Sequence, residues 1–305
     1  MHVAPDCFPC LLQQAINTAR SAGADETQRI AILRECMAYM AQADLAGTPS
    51  RFSEPVYAAI ARITGVADPY ASMKRATNAL AIRLLVDTRD LVTHSRDPLA
   101  KALHAAAAGN VIDAGIHSTH TSDIQKKLQR LMQQPFAIDD VAVFRTFLKR
   151  GAQVLYVTDN AGEIVFDALA VDRIQRFGVT VTVAVKSGPI INDATLEDAQ
   201  AAGLTKICRV IETGGATIGI DWTRVSPEFR AAYDSAAAVI VKGHGHYETL
   251  FEDPHPGLFY LLKVKCPVIA RALHGSVGDL VFAHAPHLRQ RKPPATVASA
   301  APAAP

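Results

Sequence analysis

The 305-residue sequence has little of what marks the specialised protein classes. No run of about 18 uninterrupted apolar residues is present, so no membrane-spanning helix and no membrane partner are expected. The opening Met-His-Val-Ala-Pro-Asp-Cys lacks the basic region and apolar stretch of an export signal, and a cytoplasmic location is the expectation. An excess of one charge is missing too. Lys and Arg number 31 against 29 Asp and Glu, net +2, and they form no basic stripe of the kind that neutralises a phosphate backbone, so nucleic acid is not an expected partner. The five cysteines are an odd number and only Cys7 and Cys10 are close together, which argues against a disulfide framework. No internal repeat of fixed period supports a solenoid or propeller. What is there is ordinary: 49% hydrophobic and 20% charged residues suit a globular chain that folds without a partner.

The length suits two domains. Residues 6 to about 150 read as helix after helix, with Ala, Leu, Arg, Gln and Met at helical spacing. Asp6 is expected to cap the first helix with Pro9 in its first turn, and Thr27 to Asp44 to bury Ile30, Leu33, Met37 and Met40 on one face. From Gly151 the pattern changes to short β-rich runs with helical stretches between most of them. The runs are 154–157, 179–185, 207–211, 238–241 and 268–270, and their alternation predicts a parallel sheet covered by helices. After Leu288 the chain turns to Arg, Lys, Pro and Ala, with little to bury. The expected architecture is α/β: an all-helical domain over 1–150, a Rossmann-like parallel-sheet α/β domain over 151–288, and a disordered tail over 289–305.

Ligands of open parallel sheets bind beyond the carboxyl ends of the strands, so the residues there come first. One strand is followed by Thr158-Asp159-Asn160-Ala161-Gly162-Glu163. The next is followed by Lys186-Ser187-Gly188-Pro189-Ile190-Ile191-Asn192-Asp193-Ala194-Thr195, and a later one by Lys242-Gly243-His244-Gly245-His246-Tyr247-Glu248. Oxygen donors from Asp and Asn suit a hard divalent cation that keeps water positions for a phosphate, and Asp159, Asn160 and Asp193 fit that need. Lys186 and Lys242 can bring point charges to phosphate oxygens, and the glycines beside them let backbone N–H groups approach an anion. Asp-Asn after a strand is commonly a cap or turn, and the combination across several strand ends is what favours a phosphate-plus-metal site.

Together these three segments resemble the damage-control phosphatase family, also labelled acidic-residue-methyltransferase-like. Asp6-Cys7-Phe8-Pro9-Cys10, the Asp68-Pro69-Tyr70 segment with Lys74 and Asn78, and Gly109-Asn110 with Asp113 resemble further motifs of its cysteine-pair-bearing prokaryotic branch. The likeness runs from residue 6 to about 280. It implies a helical part, a Rossmann-like part and a divalent metal (Mn²⁺, Mg²⁺, Ni²⁺ or Co²⁺) on Asp159, Asn160 and Asp193. It further implies hydrolysis of phosphate esters of small, damaged or surplus metabolites such as sugar phosphates. On the matched segments Asp159, Lys186 and Lys242 are expected to be catalytic, and Asn110, Gly188, Asn192, His246 and Glu248 to contact substrate. One departure is visible: Gly243-His244-Gly245-His246 stands where Gly-x-Gly-Asn is expected, so an imidazole replaces an amide there.

Other candidates weigh less. Cys7 and Cys10 lack a second ligand pair at zinc spacing, so packing is expected of them, as it is of Cys36, Cys208, Cys266 and the single Trp222. His244, His246 and His255 are expected to be solvated loop residues, and Glu212-Thr213-Gly214-Gly215 reads equally as a ligand approach or a turn. The rival readings are a carboxyl methyltransferase using S-adenosylmethionine and a non-catalytic phosphometabolite sensor. Against the first, Asp159-Asn160 stands where a glycine-rich cofactor loop would be.

Overall fold

The computed structural model describes residues 1–112 and 121–291. It opens with α1 (Cys7–Ser21), α2 (Glu26–Met40) and α3 (Pro49–Thr64), packed around a core of their own that includes Leu11, Ile32, Phe52 and Ile60. Local chemistry sets their ends. Asp25 and Gln28 form a reciprocal capping box at α2, Thr48 caps α3 with Pro49 at its first position, and Gly65 ends α3 at φ 71°. Two local expectations are corrected. Asp6 makes no side-chain cap and instead accepts a hydrogen bond from Arg271 Nη2 at 2.7 Å. The buried face of α2 is Ile32, Cys36 and Met40, with Ile30 and Met37 exposed; apolar residues ring this helix, so spacing alone did not select the face.

α4 (Ala71–Thr93) and α5 (Pro98–Ala108) leave that cluster and pack on the sheet. α6 (Thr121–Gln133) follows, then β1 (Phe136–Asp139), α7 (Val141–Phe147), β2 (Gln153–Val157), α8 (Glu163–Gln175), β3 (Thr180–Val185), α9 (Leu196–Ala201) and β4 (Arg209–Glu212). The chain ends with α10 (Pro227–Ser235), β5 (Ala238–Lys242), α11 (Gly243–Thr249), β6 (Leu258–Lys263), α12 (Pro267–Leu273), β7 (Leu280–His284) and α13 (Ala285–Gln290). The sheet order is β1-β7-β6-β5-β2-β3-β4, with every neighbouring pair parallel except β6 and β7. α4, α5 and α8 cover one face; α10, α11 and α12 cover the other. The α/β architecture is as expected, and among the described residues no helix is long and apolar enough to cross a membrane.

The helix-after-helix reading fails at residue 136, where Phe136–Asp139 pairs with β7 and brings the sheet in before residue 150. The run 268–270 is not a strand but part of α12, whose start carries the helix signals Cys266 as cap and Pro267 at the first position. The tail expected from residue 289 begins inside α13, and 292–305 lie outside the described residues, as does Asp113.

From β2 the chain winds outward through β3 to β4, then returns to place β5 on the other side of β2. That reversal makes a crevice between the ends of β2 and β5. The loops after β2 and β3 are joined there by backbone bonds: Ala194 N donates to Asp159 O at 2.7 Å and Ala161 N to Asn192 O at 2.9 Å. Ile191, in the second loop, sits at φ 46°, a strained conformation for a β-branched residue.

Buried Asn78 of α4 clamps both loops, accepting from Gly162 N at 2.6 Å and donating to Asp198 Oδ1 at 2.7 Å, while Asp198 Oδ2 accepts from Thr195 N at 2.8 Å. Gly162 has no room for a side chain, since a Cβ would lie 2.8 Å from Thr77 Cβ. Asn78→Ala leaves the buried Gly162 N–H without its acceptor and is expected to cost about 1–3 kcal/mol in thermal or chemical denaturation. An unchanged midpoint would remove Asn78 from this role.

Candidate active site

At the crevice Asp159 and Asn160 follow β2, and Asp193 lies opposite, its backbone bridged to that of Asn160. Asn160 and Asp193 are buried and Asp159 is partly so. Asn160 Nδ2 donates to Asp159 Oδ2 at 2.8 Å and reaches Glu163 Oε2 at 3.3 Å, which leaves Oδ1 as the amide's donor atom for a cation. Gly243, at φ 78°, makes room for this carboxylate, because a Cβ there would stand 2.1 Å from Asp159 Oδ2. The three expected metal residues line one cavity of about 510 Å³ together with Asn192, His244 and Glu248. Burial, then repulsion from Glu163, lifts the Asp159 carboxyl to about 6 against the pull of Lys265, Lys242 and Lys186.

The two expected lysines stand behind the carboxylates. Lys242 is fully buried, and its Nζ lies 2.5 Å from Glu163 Oε1, 2.7 Å from Asp167 Oδ1 and 3.0 Å from Ala106 O. Its three N–H bonds are thereby taken, so it holds Glu163 and Asp167 rather than lining the cavity. Lys186 Nζ donates to Gly219 O at 2.6 Å, lies 3.2 Å from His246 Nε2, and pairs with Asp193 Oδ2 at 3.7 Å. Burial lowers the Lys186 pKa, while Asp193 and Asp159 act in the opposite direction.

The expected substrate contacts divide. Asn192 and Glu248 line the cavity; Glu248 accepts from Ser50 N at 3.0 Å, and burial pushes its carboxyl up to about 7. Asn110 donates to Glu163 Oε2 at 3.0 Å and so orients a carboxylate. Gly188 lies against Ala216, in the loop beside the cavity. His246 is buried between Lys242 O, 2.6 Å from Nδ1, and Lys186, and both burial and the Lys186 charge keep it neutral. The imidazole of the departing motif therefore positions a lysine. His244 lines the cavity and His255 lies against Tyr233, so the three histidines do not gather. Trp222 packs as expected, with the Arg230 guanidinium 4.0 Å from its ring centre. Thr213 and Gly214 form a turn in which Gly214 N donates to Ser187 Oγ at 2.6 Å.

Four features escaped the sequence. Glu163 and Asp167 belong to the buried charge cluster, and Glu163 stood in the quoted Asp-Asn-Ala-Gly-Glu segment. Lys265 lines the cavity, two residues beyond β6, a strand whose continuous apolar run was not read as one. The start of α1 forms a wall of the same cavity, with Cys10 exposed and Cys7 half-buried, contrary to the packing expected of them.

The family model described as Damage-control phosphatase ARMT1-like domain matches residues 3–281. A damage-control phosphatase of Archaeoglobus fulgidus is 32% identical over 286 residues, covering 92% of this chain and 98% of that one. One from Pyrococcus horikoshii is 31% identical over 284 residues, 92% and 97% of the two chains. An uncharacterised protein of Methanocaldococcus jannaschii is 33% identical over 290 residues, 92% and 94%. The crystal structure of a DUF89 family protein from Pyrococcus horikoshii superposes with a TM-score of 0.85 at 31% identity, covering 93% of this chain and 99% of that one. With its fold and nearly its whole length matched, the chain belongs to the damage-control phosphatase family and is a phosphatase acting on metabolites.

Proposed function

We propose that the protein is a divalent-metal-dependent phosphoric monoester hydrolase of small phosphorylated metabolites, with Mg²⁺, Mn²⁺, Ni²⁺ or Co²⁺ held by Asp159, Asn160 and Asp193. The observation that carries this reading is a charge imbalance. Four carboxylates, Asp159, Glu163, Asp167 and Asp193, cluster with two buried lysines, Lys186 and Lys242, and with Lys265 at the rim, so carboxylates outnumber lysines at the crevice. Low-dielectric surroundings make such an excess costly unless a cation offsets it, and a divalent ion on oxygen donors suits it in sign and in chemistry. Asp167 Oδ2 is buried without a hydrogen-bond partner, a further sign of a cluster rich in acceptors.

The bound ion would draw charge from a phosphate oxygen and supply an acidified water. The chain's own residues do the rest. Asn160 is held by Asp159 and Glu163, Glu163 by Lys242 and Asn110, and Asp193 by Lys186, so the donor atoms are ordered before substrate arrives. Lys265 at the rim offsets phosphate charge, a role supported by its place in the lining and by its pull on Asp159 and Glu163. Positioning and charge stabilisation are the larger part of phosphoryl-transfer catalysis, so the scheme needs no covalent nucleophile.

Asp193→Ala should lower metal-dependent phosphate release by at least about 100-fold and abolish the heat of metal binding in calorimetry, with an unchanged circular dichroism spectrum. Full release at ordinary metal concentration would take Asp193 out of the site, and absence of release from the parent across a phosphometabolite screen would favour the sensor.

Lys265→Ala should lower kcat/KM by about tenfold or more while metal affinity stays near the parent value, since its partner is the substrate phosphate. Weakened metal binding with unaltered kinetics at saturating metal would reassign it.

A further inference from the structure

The cysteine pair is the sequence motif that the phosphatase site does not absorb. Cys7 and Cys10 sit three residues apart at the start of α1, which by helix geometry puts their Cα atoms about 5 Å apart, within the span of a disulfide. Both face the catalytic cavity, as does Cys266, the cap of α12, and the Arg271 to Asp6 bond ties the last turn of α12 to the start of α1. Cys10 is exposed, so a soluble reagent can reach it. Its Sγ accepts from Gln14 Nε2 at 3.3 Å, and Gln14 is itself oriented by Tyr57, whose hydroxyl donates to Oε1 at 2.6 Å. A thiol that only packs has no use for an oriented donor; a sulfur that carries negative charge during attack does. Cys7 is half-buried, and burial raises its pKa, with Glu248, Cys10 and Cys266 adding to the effect.

We propose that Cys10 and Cys7 form a thiol–disulfide exchange site in the wall of the catalytic cavity, acting on low-molecular-weight disulfides. The Cys10 thiolate attacks one sulfur of RSSR, forming a mixed disulfide on Cys10 and releasing RS⁻. The Cys7 thiolate then attacks Cys10 Sγ, closing the Cys7–Cys10 disulfide and releasing the second RS⁻. One RSSR is reduced to two thiols, the pair loses two electrons, and its two protons go to the released thiolates. The intermediate adduct fills the cavity through which substrate enters. This last consequence rests on the phosphatase reading; the exchange chemistry does not.

The test is intact mass of the full chain after incubation with oxidised glutathione. The parent should lose two hydrogens and keep no adduct, Cys7→Ser should keep one glutathione, and Cys10→Ser should form no internal disulfide. Cys266→Ser should behave as the parent, and dithiothreitol should reverse every change. A parent that forms no internal disulfide, or an adduct that persists in Cys266→Ser and not in Cys7→Ser, overturns the assignment. Phosphate release by the Cys7→Ser adduct should fall by about tenfold or more and return on reduction, and release unaffected by the adduct overturns the blocking step. If the masses behave as stated while the reduced parent releases no phosphate, the phosphatase reading fails and the exchange site stands.

Discussion

The rest of the structure depends on keeping an unbalanced cluster of buried charges together at the crevice between β2 and β5. Two lysines enter it from strand ends and tie down carboxylates: Lys186 takes Asp193 of its own loop, and Lys242 takes Glu163 and Asp167 of α8. Removing one partner of such a pair leaves a buried charge without compensation, which is far costlier than losing the pair's net interaction energy. The cluster therefore constrains the packing around it. The Ala-rich stretch 105–108 of α5 is fully covered against α8 and supplies the Ala106 carbonyl that Lys242 uses for its third bond. Gly243 has no side chain because Asp159 occupies that space.

The same constraint explains where strain is tolerated. The loop after β3 has to reach back and join the loop after β2, and it does so with Ile191 in the left-handed region. Such a residue costs on the order of 1–3 kcal/mol and persists only where its surroundings over-determine it. Here the surroundings are the backbone bonds around Asp159, Ala161 and Ala194 and the Asn78 clamp, which together hold Asp193 opposite Asn160. Ile191 also lines both the cavity of Asp159 and Asp193 and a second one of about 450 Å³ lined by Tyr57, Tyr70 and Arg224. A rigid, strained loop is compatible with catalysis by positioning, because donor atoms fixed in advance need no reorganisation when charge develops.

β2, β3 and β5 were legible because each is a short β-rich run followed within two residues by Asp or Lys, and Asp159, Asn160 and Asp193 stood where strand ends present ligands, whereas β7, Leu280–His284, was not read as a strand. β6 was not, because Leu258 to Leu262 is a continuous apolar run whose period favours neither helix nor strand. Losing that strand also hid Lys265. Residues 136–139 were taken into the helices before them because a four-residue strand carries too few alternations to register. The direction of Lys242 was illegible for a different reason. A lysine after a strand points to an anion, but whether that anion is a substrate phosphate or the chain's own Glu163 and Asp167 depends on which helix packs behind it. No local pattern encodes that choice.

The helical part is more than a support for the sheet. α3 reaches the cavity through Ser50, whose N–H holds Glu248, and is linked to the far loops by Arg51 with Asp221 and by Glu54 with Arg224. Those ion pairs are largely solvent-exposed and contribute little stability, roughly 0–1 kcal/mol each. The apolar cluster around Leu11, Ile32 and Phe52 holds α1, α2 and α3 to one another, and Ser50 with Glu248 and Asp6 with Arg271 are among the hydrogen bonds that link them to the sheet side. The two parts then divide the work. The sheet fixes the buried charge cluster, within bonds that admit little change. The helices provide the opposite wall, with Cys7, Cys10, Gln14 and Ser53, where side chains can differ without disturbing the charge cluster. Choice among phosphorylated metabolites is accordingly expected to follow residues of α1 and α3 more than those at the ends of the strands.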